Sequence, residues 1–189
     1  KILIIQQKMI GDVLTSSVLF EVLKNHFPKD ELHYLINSHT QAVVQGNRNI
    51  DKLVLFTPEM EQNKLRFFSF LKEIKKAKYD VVIDVYGKLS SKLISKASGA
   101  KIRIAYKKQA NSIFYTHQIK RLKTPKHHAS LAIENRLRLL EPLGISFEPT
   151  APRITLTNAE TDQAKAVLTT AGISSEKKLY MISVLGSDP

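Results

Sequence analysis

Lys1-Ile2-Leu3-Ile4-Ile5-Gln6-Gln7-Lys8-Met9-Ile10-Gly11-Asp12-Val13-Leu14-Thr15-Ser16-Ser17 decides the fold. It opens on a short apolar run, turns at a Gly-Asp pair and enters an amphipathic segment. A strand, a glycine turn and a helix in that order build a site at the carboxyl end of the first strand of an open α/β sheet. Asp12 falls where a helix N-terminus presents free N–H groups and a positive dipole end. Its carboxylate is then either a cap for the apolar periodic run that follows or a base. Gly11 reads as a turn residue with positive φ.

Outward from this stretch, short β-type runs alternate with longer helical ones, which argues for a parallel sheet with crossover helices. Residues 2–5 read as the first strand. Residues 13–26 read as a helix, with Leu14, Val18, Leu19, Val22 and Leu23 at helical spacing and Pro28 just beyond. Further strands are expected at 32–36, 52–56, 80–85 and 101–106. Helices are expected at 41–45, 61–77, 89–98 and 130–143, with Gly99 and Gly144 as stops. Thr40 reads as an N-cap, and Asp84 as either a second cleft carboxylate or a brace for the turn at Gly87. Phe67, Phe68 and Phe70 read as core and edge packing, with a membrane-facing patch as the other reading.

A proline-bearing connector at residues 147–152 marks a change, followed by an extended piece at 153–156. Thr157-Asn158-Ala159-Glu160 starts a helix that runs to Ala171 before Gly172, and an apolar strand follows at 179–184. A buried-type strand leading into Gly186-Ser187 is the beginning of a βα unit. The expected organisation is a Rossmann-like domain over 1–150, with 151–189 forming a linker and the truncated first elements of a second α/β domain.

The 189 residues suffice for one generous domain or a domain plus part of another. Cysteine is absent, which excludes disulfides and thiolate metal sites and fits a reducing compartment. No apolar run is long enough to span a bilayer, and no secretory signal is visible. The 29 Lys+Arg against 17 Asp+Glu, a formal net charge of +12, suit polyanions, anionic lipid head groups or phosphorylated sugars. Basic residues crowd at 72–78 and again at 101–126; the second region lies largely in loops and is the better functional patch.

Four blocks, in order, carry a family resemblance. They are the apolar strand with Met9-Ile10-Gly11-Asp12-Val13; Tyr79-Asp80-Val81-Val82-Ile83-Asp84-Val85-Tyr86-Gly87; His128 with Glu134-Asn135-Arg136 and Leu143-Gly144-Ile145; and Ile182-Ser183-Val184-Leu185-Gly186-Ser187. Together they resemble bacterial glycosyltransferase family 9, the heptosyltransferases of lipopolysaccharide core assembly. The chain departs from the family pattern at Gln6 and Gln7, where Arg is common, and at Val18, where Pro is.

The resemblance implies a GT-B fold, two Rossmann-like domains facing across a cleft, with the acceptor on the N-terminal one and the nucleotide-sugar donor on the other. It implies Asp12 as general base for inverting transfer of heptose or a related sugar from an ADP-sugar to the lipopolysaccharide inner core. An attacking hydroxyl does need a carboxylate to take its proton. Gly186 and Ser187 would begin the donor-phosphate loop. Lys8, Gly11, Lys88, Ser91 and His128 are the expected acceptor contacts. Lys88 and Ser91 otherwise line a solvated turn, and His128 otherwise caps its helix. No metal or cofactor is expected, since no Asp-x-Asp motif is present. The implied setting is cytoplasmic, peripheral to the inner membrane, beside an anionic lipid A acceptor and without nucleic acid. The truncated chain alone is expected to be inactive. The rivals are a basic nucleic-acid-binding α/β domain, without an evident recognition helix, and a non-catalytic nucleotide-binding Rossmann domain, for which Gly11 is the one glycine after the first strand.

Overall fold

The computed structural model describes residues 1–108, 113–126, 130–148, 150–173, 178 and 180. The chain divides into two compact units, Lys1–Thr155 and Leu156–Pro189.

In the first unit the elements run β1 (Ile2–Gln6), α1 (Ile10–Ser16), α2 (Val18–His26), β2 (Leu32–Asn37), β3 (Lys52–Phe56), α3 (Pro58–Gln62), α4 (Lys64–Lys76), β4 (Val81–Asp84), α5 (Leu89–Ala97), β5 (Ile102–Tyr106), β6 (His117–Ile119) and α6 (Leu131–Leu137). Among the described residues the strands form one six-stranded sheet in the order β3-β2-β1-β4-β5-β6. Every pairing is parallel, with Ile4 opposite Tyr34 on one side and Ile83 on the other. This is the doubly wound order, and its switch point lies between β1 and β4, where a crevice opens outside the carboxyl ends of the strands.

The reason β1 reads as an unbroken apolar run is that both of its faces are covered. Ile2 and Ile4 join Leu19, Phe20, Leu23, Leu137 and Leu140 in one core layer. Leu3 and Ile5 join Phe70, Ile74 and Ile94 in the other. Of the three phenylalanines read as packing residues, Phe70 is buried and Phe67 half-buried, but Phe68 is exposed.

Several expectations are corrected. The helix expected over 13–26 begins at Ile10, so Gly11 and Asp12 lie within its first turn and Met9 is the N-cap. Gly11 is not among the positive-φ glycines. That helix also breaks at Ser17, whose N–H and Oγ both bond to Leu14 O (3.1 and 2.7 Å) and tighten the turn. Asn63 splits the helix expected over 61–77. It is extended and accepts from the N–H groups of Leu65 (2.9 Å) and Arg66 (3.3 Å), capping α4. The helix expected over 130–143 turns after Leu137 into a tighter 3₁₀ segment, Arg138–Leu143, with Pro142 inside it. The short helix expected at 41–45 is a 3₁₀ segment at Ser38–Val43. Thr40 is buried within it and donates to Asn37 O (2.7 Å) rather than capping it. Strand β6 escapes the sequence reading because it is three residues at an exposed edge, with no apolar alternation.

In the second unit, α7 spans Asn158–Thr170. Thr157 and Glu160 close the reciprocal capping box read from the sequence: Glu160 N–H donates to Thr157 Oγ1 (3.2 Å) and Thr157 N–H to Glu160 Oε2 (2.7 Å). The strand expected at 179–184 lies outside the described residues. Among the described residues no helix is long and apolar enough to cross a membrane.

Candidate active site

The crevice at the switch point is an open groove of about 970 Å³. Its wall is drawn from the segments that follow successive strands: Gln6 to Asp12 after β1, Val85 to Lys88 after β4, Tyr106 and Lys108 after β5, and Arg121 after β6. Helix α6 closes one side with Leu131, Ala132, Asn135 and Arg136.

Asp12 is half-buried on this wall, and each of its oxygens meets a cation. Arg136 Nη2 donates to Oδ1 (3.0 Å), and Lys8 Nζ lies 3.1 Å from Oδ2. The two partners differ in kind. The Arg136 side chain is 10 % exposed and held at two further points: Nε to Ser16 Oγ (2.8 Å) and Nη1 to Ala132 O (2.9 Å), and Ser16 itself donates to Asp12 O (2.7 Å). The Lys8 side chain is 57 % exposed, so its pairing is screened and readily exchanged. Oδ1 is thus fixed and Oδ2 is the oxygen that a ligand can reach.

Beneath Asp12, Gln6 Nε2 donates to Ser16 Oγ (3.2 Å), while Gln6 Oε1 is buried without a partner among the described residues. Gln7 Oε1 accepts from Ser90 Oγ (3.2 Å). At these two positions neutral amides tie the end of β1 to Ser16 of α1 and Ser90 of α5.

The charge on the wall is lopsided. Lys8, Lys88, Lys108, Arg121 and Arg136 face it, with Asp12 as the one carboxylate of the lining among the described residues. Lys108 Nζ donates to Gly87 O (3.3 Å). Burial first, then the nearby charges of Arg121 and Lys88, pull its ammonium below the ordinary lysine range. Arg121 stacks over the Tyr106 ring, 3.9 Å from its centroid. Like charges gathered this closely are relieved by an anion.

Three consecutive residues of α6 divide the work of shaping the groove. Asn135 clasps the loop that carries Arg121: its Oδ1 accepts from Leu122 N–H (2.7 Å) and its Nδ2 donates to Leu122 O (3.3 Å). Glu134 Oε2 accepts from Lys126 N–H (2.7 Å) further along the same loop. Arg136 holds Asp12. The sequence marks these residues as a motif but not their roles: Asp12 lies 124 residues from Arg136, and the partners of Asn135 and Glu134 are backbone groups of an irregular loop that carry no signature.

Asp84 is fully buried below the groove and serves the turn rather than the cleft. Its Oδ1 accepts from Tyr86 N–H (2.9 Å) and Gly87 N–H (2.8 Å), and Oδ2 accepts from Tyr115 O–H. Burial raises its carboxyl above the ordinary value. The turn it braces places Gly87 at φ 65° and presents Lys88 to the groove.

Of the residues expected from sequence, Asp12, Lys8, Gly11 and Lys88 come together on the groove wall. Ser91 does not join them. It is fully buried, and its hydroxyl closes the first turn of α5, accepting from Lys88 N–H (3.1 Å) and donating to Lys88 O (3.0 Å). His128, Gly186 and Ser187 lie outside the described residues. In the basic stretch at 101–126, Lys108 and Arg121 reach the groove, whereas Arg103 braces the backbone through Phe114 O (2.8 Å). No group of three or more His, Asp or Glu that could hold a metal ion occurs among the described residues.

Gly11 offers a test of this wall. It is helical, and a Cβ built on it meets nothing within 4 Å. Gly11→Ala is expected to raise stability by about 0.5–1 kcal/mol through helix propensity, read as a higher unfolding midpoint. A drop in the midpoint would show that the first turn of α1 is not helical in solution.

Comparison with known proteins agrees with this geometry. The family model of glycosyltransferase family 9 (heptosyltransferase) matches residues 67–186. Lipopolysaccharide heptosyltransferase 1 of Campylobacter coli is 29% identical over 97 residues, covering 51% of this chain and 28% of that protein. The crystal structure of a family 9 glycosyl transferase from Veillonella parvula superposes with a TM-score of 0.75 at 21% identity, over 92% of this chain and 50% of that one. E. coli heptosyltransferase WaaC, solved with ADP-2-deoxy-2-fluoro heptose, gives a TM-score of 0.66 at 17% identity, over 80% of this chain and 50% of that one. The chain therefore spans about half the length of these solved structures and less of the Campylobacter enzyme. With a family match that covers well over half of its residues and a sheet that superposes on solved family members, the chain belongs to glycosyltransferase family 9.

Proposed function

We propose that this chain forms the acceptor-binding half of an inverting transferase that moves heptose, or a related sugar, from an ADP-sugar to an anionic acceptor of the lipopolysaccharide inner core. The observation that carries the reading is Asp12, set at the carboxyl edge of β1 with Oδ1 fixed by Arg136 and Oδ2 facing a groove lined by five cations. The names of the Campylobacter and E. coli relatives support the choice of donor and acceptor.

In this reading an acidic group of the acceptor enters among Lys8, Lys88, Lys108 and Arg121. It draws Lys8 away from Asp12 and frees Oδ2. The acceptor hydroxyl then gives its proton to Oδ2 as its oxygen attacks the anomeric carbon. The bond from that carbon to the diphosphate breaks, the nucleoside diphosphate leaves from the opposite face, and the configuration inverts. The donor half, whose phosphate loop would begin at Gly186-Ser187, supplies the N–H groups that receive the leaving phosphates. The reaction as drawn needs no metal, and Arg136 acts as a positioning residue through Asp12. The acceptor is lipid-linked, which places the enzyme at the cytoplasmic face of the inner membrane. The acceptor half by itself, without a donor half, does not catalyse transfer.

The test is transfer by the intact protein to phosphorylated core oligosaccharide and to the same acceptor after phosphatase treatment. Loss of the phosphate is expected to lower kcat/KM by about 10–100-fold, the worth of one or two charge-assisted contacts. Equal rates on the two acceptors would remove the anionic-acceptor reading.

A further inference from the structure

Helix α4 has a face that none of the other described residues covers. Its inner side packs Phe70 and Ile74 into the core layer that contains Leu3 and Ile5. The helical period places Leu65, Phe68, Lys72, Lys75 and Lys76 on the opposite side. Leu65 is 80% exposed and Phe68 59% exposed. Among the described residues Lys72, Lys75 and Lys76 make no ion pair, although Arg66 on the flank pairs with Glu59 at 3.0 Å. The two parallel strands that α4 connects, β3 and β4, run in the same direction, so α4 runs back between them. Its first turns, with Leu65 and Phe68, therefore lie at the carboxyl edge of the sheet, the edge on which the groove opens.

We infer that this face is the surface that docks on an anionic bilayer, with Leu65 and Phe68 entering the head-group region and Lys72, Lys75 and Lys76 meeting lipid phosphates. An apolar pair beside a cluster of lysines is the pattern of a helix lying in the membrane interface. The exposed apolar surface of a Leu and a Phe is on the order of 300 Å² at most, well short of what a stable protein partner covers on one side. A lipid surface sets no such minimum, because each lysine near an anionic leaflet adds its own attraction. The inference rests on the reading of a lipid-linked acceptor. Docking through the first turns of α4 holds the mouth of the groove near the leaflet from which such an acceptor projects.

The experiment is sedimentation of the intact protein with vesicles of phosphatidylcholine, with and without phosphatidylglycerol. Wild type is expected to bind the anionic vesicles alone. The Leu65→Ser, Phe68→Ser double variant is expected to bind about tenfold more weakly. The Lys72→Gln, Lys75→Gln, Lys76→Gln triple variant should lose about fivefold per lysine. Both variants should keep wild-type circular dichroism and wild-type transfer to delipidated core oligosaccharide, while transfer to acceptor embedded in vesicles falls. Vesicle binding unchanged in both variants overturns the inference. So does a dimer in light scattering that becomes a monomer in the Leu65→Ser, Phe68→Ser variant with vesicle binding intact, since the face would then be a contact between two copies. Failure of wild type to transfer sugar to the delipidated acceptor would strike the transferase reading, whereas vesicle binding reads the docking face independently.

Discussion

Replacing Asp12 by Asn is expected to lower sugar transfer by the intact protein about a thousandfold, the usual worth of a general base, without loss of the fold. The amide keeps the shape of the carboxylate and can still accept from Arg136 through its oxygen. It cannot take the hydroxyl proton. Because the side chain sits on the groove wall and belongs to neither core layer, the unfolding midpoint should move little. The loss should fall on kcat, with the KM for the donor unchanged, because in the proposed mechanism the base acts in the transition state and the donor binds on the other half. Near-normal rates would remove Asp12 from the chemistry and leave its two ion pairs as a purely structural clamp. A loss of rate that tracks a loss of fold would mean the same.

The second large effect concerns stability. Asp84→Ala is expected to destabilise the first unit by about 3–5 kcal/mol, because it strands the donors that a buried carboxylate satisfied. These are the N–H groups of Tyr86 and Gly87 and the hydroxyl of Tyr115, all aimed at a side chain with no exposure. For a unit of this size that corresponds to a midpoint lower by about 10 °C. The pH dependence has a definite sign. Burial raises the folded carboxyl above its unfolded value of 3.8, so its contribution is fully present below that value and declines as the pH rises through the folded one. The deficit of the variant is therefore largest near pH 4 (about the unfolded value) and narrows toward neutrality. A midpoint within about 2 °C of wild type across this range would show that water replaces the carboxylate at the turn.

Much of the sheet could be read directly because it is parallel and doubly covered. Strands β1 and β4 are apolar on both faces over most of their length, β2 and β5 on at least one, and all four announce themselves as short runs bounded by polar turns. What resisted reading was decided by side chains that bond back to the chain. Ser17 and Asn63 each divide what periodicity shows as one helix, and a residue count of apolar spacing does not register a hydroxyl on a carbonyl. The same division holds for the site. Asp12, Lys8 and Gly11 were visible because strand, turn and helix are contiguous. Lys108 and Arg121 were visible only as members of a basic stretch. Arg136 was visible as a residue of a motif but not as the partner of Asp12, since that contact is made by the tertiary fold. Ser91 was misjudged because its hydroxyl satisfies the backbone of its own helix, which a polar residue at a strand-to-helix turn often does.

The guanidinium that seats Asp12 arrives 124 residues later in the chain. On the ribosome, β1 and α1 therefore emerge long before α6, and the nascent chain carries its carboxylate unmoored until the last helix of the unit is made. Translation that stops short of Arg136 leaves a product with most of its strands and an unseated carboxylate. In this protein, the seating of Asp12 is completed only at the end of synthesis of the first unit, and the N-terminal sequence that marks the groove cannot assemble it alone.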